Sequence, residues 1–293
     1  MKKILPVLIF FSFSFRLFSQ AGPQKVLSFA DSLADEGDYY RAITEYKRAL
    51  HFFPAYEKRE FIQLEIGKLY YKGKRFQQSQ AYLIPLTASQ DPGLQESAHG
   101  WLAMSYFYDR QYINSERLFS DLTKGKKEND LVTKELQIMR AISLAGLNKF
   151  DQSNQIFQSL SGKLSMESHK RFLRSALSLT EEGSLLEKRS PGWAAFWGTI
   201  IPGAGYLYND DAATAFVAFL TVAATGYLSY DGFSRNAPVQ GGIFLAVATG
   251  FYGGSIYGGF RQARKWNANI GKEQFSALLK AHKRLTLSIQ QSF

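Results

Sequence analysis

Four histidines, His51, His99, His169 and His282, are the side chains best suited to bind a metal or carry a proton. They lie far apart, with neither a His-x-x-x-His pair nor a Glu at ligand spacing. The chain has no cysteine, which removes disulfides, thiolate metal sites and a lipid anchor on an N-terminal cysteine. No Gly-x-Ser-x-Gly elbow, phosphate loop or dinucleotide fingerprint is present, and the glycine-rich stretch GGSIYGG, residues 253–259, has no Lys-Ser or Lys-Thr to hold a phosphate. Asn209, Asp210 and Asp211 are adjacent at the start of an apolar run. They are expected to cap the helix that follows, whose positive N-terminal dipole they complement, with a cation site as the alternative. No catalytic residue, metal or cofactor is expected, so the chemistry that remains is recognition.

Surfaces for recognition must be held by larger elements, and the distribution of charge marks two kinds. Charged residues crowd the first 190 positions, whereas from Ser190 to Phe260 the only Asp, Glu, Lys or Arg residues are Asp210, Asp211, Asp231 and Arg235. The mean hydropathy of −0.20 averages these unlike halves. The net charge of +10 does not point to nucleic acid, because Lys and Arg alternate with Glu and Asp through the first half and cluster only in the last 33 residues. At the N-terminus, Lys2 and Lys3 precede an apolar run from Ile4 to Phe15, and Ser19-Gln20-Ala21 supplies small residues for a signal peptidase. Residues 1–21 are therefore expected to be an export signal, cleaved after Ala21; Arg16 interrupts the run and leaves an uncleaved anchor as the alternative.

The charged half repeats itself. Anchors at Ala30, Gly67, Ala103 and Ala141 are separated by 37, 36 and 38 residues. Twelve residues after each anchor comes a small residue (Ala42, Ser79, Ser115, Ser153), and sixteen after comes a large one (Tyr46, Leu83, Phe119, Phe157). Small side chains at the crossing of two antiparallel helices let the backbones approach, and the large ones fill the space toward the next pair.

This pattern resembles tetratricopeptide repeats over residues 24–163, whose consensus of about 34 residues places Gly or Ala, Tyr, Ala, Phe and Pro in this order. The first unit, VLSFADSLADEGDYYRAITEYKRALHFFP, matches at Ala30, Leu33, Gly37, Ala42, Tyr46, Ala49 and Pro54. The second keeps Gly67 and Tyr70 but has Pro92 one place late, and the third and fourth lack a terminal Pro. The resemblance implies helix pairs stacked into a superhelix with a groove lined by the first helix of each pair. Carrying the groove positions across gives Asp31, Asp35, Lys68, Tyr71, Lys72, Met104, Phe107 and Tyr108. The last six are the expected contacts for a peptide or protein, since aromatic side chains suit interfaces. The amphipathic segment MESHKRFLRSALSLTEEGSLLEK, apolar at Phe172, Leu173, Ala176, Leu177 and Leu179, is expected to cap the stack, giving a repeat domain over 22–189.

The apolar half, 190–260, reads as a membrane domain. Ala212 to Tyr230 and Pro238 to Phe260 are each near the roughly 20 residues that cross about 30 Å of hydrocarbon. Ser190 to Asn209 is broken by Pro202, Gly203 and Gly205, so it either spans as two half-helices or re-enters. In lipid, helices associate through close backbone contact, and Gly242, Ala246, Gly250, Gly254 and Gly258 are expected to face a partner helix. That partner is Ala212 to Tyr230 through Thr214, Ala218, Val222 and Gly226, or a second copy of the chain. Pro202, Gly203, Gly205 and Tyr208 also resemble the Pro-Gly-x-Gly-x-x-Tyr turn of small bacterial membrane hairpins, which implies membrane association and no activity.

The tail, 261–293, holds Arg261, Arg264, Lys265, Lys272, Lys280, Lys283 and Arg284 against Glu273 alone. Positive-inside bias places it in the cytoplasm, and with exported repeats this requires three crossings. Its apolar residues Ile270, Phe275, Leu278, Leu279, Leu285 and Ile289 are expected to lie along an anionic membrane surface. The whole reads as an all-α chain, a tetratricopeptide-type superhelix followed by a transmembrane helical bundle. The expected function is an envelope-anchored scaffold that binds a protein or peptide, with an oligomeric channel built on the glycine stripe as the alternative.

Overall fold

The computed structural model describes residues 22–127 and 130–290, with side chains given through Leu285. The expected export signal, residues 1–21, and Ile289 of the tail's apolar set lie outside what is described. Among the described residues every regular element is a helix, and the chain divides into two compact units between Ser165 and Met166.

The first unit is four helical hairpins: α1 (Pro23–Asp35) with α2 (Tyr39–Phe52), α3 (Arg59–Lys72) with α4 (Phe76–Leu83), α5 (Pro92–Tyr108) with α6 (Tyr112–Thr123), and α7 (Leu131–Gly146) with α8 (Phe150–Leu160). Each hairpin also packs on the next, α2 on α3, α4 on α5 and α6 on α7. All eight residues of the small-and-large code are buried. The close crossings are visible atom by atom: a Cβ on Gly67 would come within 2.7 Å of the Leu83 side chain, and the Ser153 hydroxyl donates to the Ala141 carbonyl at 2.7 Å. Each pair unites the anchor position of one hairpin with its partner twelve or sixteen residues on.

Every hairpin turns the same way. Gly37, Lys74, Arg110 and Asn148 all take positive φ, between 56° and 82°. The amide after each returns to the carbonyl five residues back, Asp38 to Leu33, Arg75 to Tyr70, Gln111 to Tyr106 and Lys149 to Leu144, at 2.8 to 3.0 Å. This satisfies carbonyls left open at the helix end. Pro92, which falls late as a repeat terminator, instead starts α5, with Asp91 accepting from Gly93 N at 2.8 Å and Leu94 N at 3.2 Å.

The second unit holds α9 (Glu167–Ser184), α10 (Pro191–Ile200), α11 (Ala204–Leu207), α12 (Ala212–Ser234), α13 (Pro238–Asn269) and α14 (Lys272–Gln290). Two of its helical stretches, beginning at Ala212 and at Pro238, are long and apolar enough to cross a membrane. The segment expected to cap the repeats, α9, falls after the division of units and pairs with α14. That pairing buries Leu278 and Leu285 of the basic tail together with Phe172, Leu173 and Ala176, so two of the apolar residues expected to meet lipid are taken up by protein.

α12 and α13 form an antiparallel hairpin, but through different residues from those expected. Cβ atoms on Gly242, Gly250 and Gly254 would meet nothing within 4 Å, and neither would one on Gly226 of α12. Of the four glycines of the expected stripe, Gly258 alone has a close neighbour, the Tyr206 ring. The buried residues of α13 are Gly241, Ala248, Ser255, Gly259 and Ala263. A strict four-residue spacing drifts about 40° per step around a helix of 3.6 residues per turn, so five members spread over about 160° and do not all face α12. The buried set runs in steps of seven, seven, four and four, whose drifts oppose each other, and stays within about 80°. On α12 the buried positions are Ala215, Ser229 and Gly232; Ser229 donates to the Gly241 carbonyl at 2.9 Å, and a Cβ on Gly232 would come within 2.7 Å of Gly241 N.

Residues 190–209 do not run from one end of this hairpin to the other. α10 descends beside α13 until Tyr252 donates to the Thr199 carbonyl at 2.6 Å. The chain reverses at Gly203, φ 87°, and α11 climbs back, with Gly205 wedged between Ala194 and Gly259. A continuous helix over 190–209 is thus replaced by two short helices joined by a bend. Of the three residues expected to cap α12, only Asp211 does so, accepting from Thr214 N at 3.1 Å; Asn209 donates to the Gly205 and Gly259 carbonyls, and Asp210 pairs with Arg189.

Candidate functional site

The face shared by α3 and α5 gathers the recognition chemistry of the first unit. These two helices touch each other as the leading members of adjacent hairpins. Between them lies an open cleft of about 600 Å³ whose floor includes Phe61, Leu64 and Leu94 and whose rim carries Glu57, Lys58, Glu60, Lys68 and Asp91. Phe61 is half exposed although it is a large apolar side chain.

An aromatic strip continues from the cleft toward the hairpin turns. Lys68 bonds Glu65 at 2.7 Å and sits 5.8 Å from the centroid of the Trp101 ring, in reach of a cation–π attraction. Trp101 meets Tyr71 edge-on at 5.3 Å, Tyr71 meets Tyr108 at 5.7 Å, and Tyr108 stacks on Phe76 at 5.9 Å. Burial, together with the adjacent Tyr108, raises the Tyr71 hydroxyl above the ordinary tyrosine value, so it remains a neutral hydrogen-bonding group across the physiological range. Tyr108 stays 45% exposed, which leaves a ring edge available at the end of the strip.

Lys68, Tyr71 and Tyr108 of the expected contacts are therefore brought together. Met104 is half buried on α5. Lys72 is exposed and lies apart, 5.9 Å from the Tyr39 ring. Phe107 is a correction: at 4% exposure it belongs to the core, packed edge-on against Tyr112 at 5.7 Å, and offers no surface to a partner. It follows Tyr106 and precedes Tyr108 on a helix, so its side chain turns about 100° from Tyr108 and into the hairpin.

Trp101, Phe76, Phe61 and Leu94 were not singled out by the repeat offsets. Trp101 could have been found by periodicity, since it lies three residues before Met104 and seven before Tyr108 on one helical face. Phe76 belongs to α4, and its approach to Tyr108 is a contact between hairpins that no spacing within one repeat displays. Among the described residues no three His, Asp or Glu side chains come close enough to hold a metal ion.

No family model and no curated protein matches the sequence. Among solved structures, a tetratricopeptide repeat protein from Parabacteroides merdae aligns with 88% of this chain and 99% of its own, at 12% sequence identity and a TM-score of 0.46.

Proposed function

We propose that the chain is a membrane-anchored interaction scaffold of a bacterial cell envelope. Its repeats hold a peptide or protein segment in the cleft between α3 and α5, and α12 and α13 anchor it in lipid. The observation that carries the first part is the aromatic strip beside an open cleft: Phe61 and Tyr108 expose large rings at its two ends, and Lys68 and Trp101 lie between them. Rigid aromatics of this kind supply contact area at small entropic cost. Anchoring is supported by the length and apolar character of α12 and α13 and by rings and branched side chains left outward, among them Phe216 and Val217, each 62% exposed. The export signal read in residues 1–21 would carry the repeats to the extracytoplasmic side.

A displayed random-peptide library selected against the full-length protein in detergent tests the binding reading. Peptides are expected to enrich, and Trp101→Ala or Tyr108→Ala to weaken the selected peptides by about 10- to 100-fold, in keeping with loss of an aromatic anchor. Enrichment no greater than on the doubly substituted protein would sink it.

A second reading has one observation behind it: the face of α13 that carries Gly242, Gly250 and Gly254 is left uncovered. A second copy docking there would give the homo-oligomer on which a channel or transport component would be built. Cross-linking in membranes, lost on Gly250→Leu, is the result that reading requires.

A further inference from the structure

Resting on the membrane reading above, we infer that the second unit crosses the bilayer twice. Residues 191–209 enter and leave the membrane on one face as a half-depth wedge, so that Lys188 and Lys272 face the same compartment.

Length sets the frame. α12, at 23 residues, is about 35 Å long and matches a hydrocarbon core of about 30 Å, whereas α10, at ten residues, reaches only about 15 Å. Its deepest anchored point, the Thr199 carbonyl on Tyr252, lies ten residues along α13 from Gln262, again about 15 Å from the end. Half of the bilayer is as far as this segment goes.

Both ends of the wedge are tied into one polar clasp. The Asn267 amide accepts from Arg189 N at 2.8 Å and donates to the Arg189 carbonyl at 2.7 Å. The Arg189 guanidinium bonds Asp210 at 2.5 Å, reaches the Asn209 carbonyl, and lies 4.0 Å over the Trp266 ring. The Tyr208 hydroxyl accepts from Ser190 N at 3.1 Å, and Gln262 donates to Asp211 at 2.9 Å. Residues 189 and 210 sharing these bonds cannot stand on opposite faces of a layer about 30 Å thick.

The clasp is not the only tie. α9 leads into Arg189 and α14 follows Asn267, and the two helices pack on each other, with the Phe172 and His282 rings 5.8 Å apart. Two independent contacts thus bring the entering and leaving chain to one end of the α12–α13 hairpin.

The outward side chains fit a bilayer in that orientation. Trp193 and Trp266 are exposed at the clasp end, Tyr227 and Tyr230 toward the other end, and Phe219 and Phe251 between. Aromatic rings with polar edges at both boundaries and apolar groups between them are what the two interfaces select. Three backbone amides of the bend are bonded within it, which suits membrane depth: Ile201 N donates to the Trp197 carbonyl, Ala204 N to the Ile201 carbonyl, and Tyr206 N to the Gly203 carbonyl, at 2.9 to 3.1 Å. With an even number of crossings, an exported α9 and a cytoplasmic basic tail exclude each other.

The chain lacks cysteine, so a single introduced thiol reports its own side. Lys188→Cys, Ser234→Cys and Lys272→Cys in the full-length protein are each labelled with a membrane-impermeant maleimide, in sealed vesicles of one orientation and again after permeabilisation. The expected result is that positions 188 and 272 label together and position 234 only from the other side, in membranes that retain the protein through an alkaline wash. Retention with 188 and 272 on opposite sides overturns the wedge while leaving the anchor intact. Retention with all three on one side means the hairpin does not cross and also overturns it. Loss of the protein in the wash removes the anchoring reading itself. Arg235→Cys, in the same exposed turn, replaces Ser234→Cys if that variant fails to accumulate.

Discussion

In the repeat unit, Phe119 and Phe157 are wholly buried at positions a sixteen-residue offset marks, and Ser153 bonds Ala141 at a crossing the twelve-residue offset marks. In the apolar unit, Gly242, Gly250 and Gly254 repeat just as regularly and touch nothing, while Gly205, Gly241 and Gly259, which belong to no obvious series, have backbone or ring atoms against them. Both regions are helical and both alternate small and large side chains. They differ in how apolar their outward side chains are. Where the surroundings are water, an apolar side chain at helical spacing marks the interior, because exposing it costs about 25 cal/mol per Å². Where nearly every side chain is apolar, that contrast vanishes, and the contact face is selected by how closely two backbones can approach.

That comparison can be broken at four strengths. Phe157→Ala should have the largest effect, about 3–5 kcal/mol of lost stability from a cavity in the repeat core, read as a lowered denaturation midpoint. A cost under about 1 kcal/mol would mean the large position is not the packing element assigned to it. Gly259→Val comes next: its Cβ would meet the Gly205 backbone at 2.8 Å, and neither chain can yield without moving the bend. A loss of about 1–3 kcal/mol, or more, is expected in detergent melting. Near-wild-type melting would show that the wedge does not pack on α13.

Smaller again is the turn. Lys74→Gly should stabilise the protein by about 1 kcal/mol, because lysine carries a left-handed penalty at φ 59° that glycine does not. Gly37→Ala should cost a similar amount at the equivalent site, and equal and opposite shifts in melting would sharpen the claim that the four turns are alike. Gly250→Leu should change stability by less than about 0.5 kcal/mol, since the added side chain enters open space. A loss as large as that of Gly259→Val would restore the expected stripe and reverse the assignment of faces.

Legibility followed the same division. The hairpin count and the buried code of the first unit were readable because repetition samples one packing solution four times. The turns were not, since only Gly37 announces a left-handed residue and the other three positions are Lys, Arg and Asn. In the candidate site Lys68, Tyr71 and Tyr108 were legible from repeat register. Phe107 was not, because register places a residue on a helix without saying which of two adjacent aromatics faces inward.

By itself the sequence determined that the chain is helical, that its first part is built of tandem hairpins, and that two later stretches are long and apolar enough to cross a membrane. These follow from local spacing and from summed hydropathy, both of which are properties of contiguous segments. The tertiary structure alone decided that α9 pairs with α14, that Arg189 closes on Asp210 and Asn267, and that residues 190–209 turn back halfway. Each of these depends on a contact between residues 21 to more than 100 positions apart. No local pattern encodes such contacts, because the free energy that selects them comes from backbone approach and buried hydrogen bonds that exist only once the helices have met.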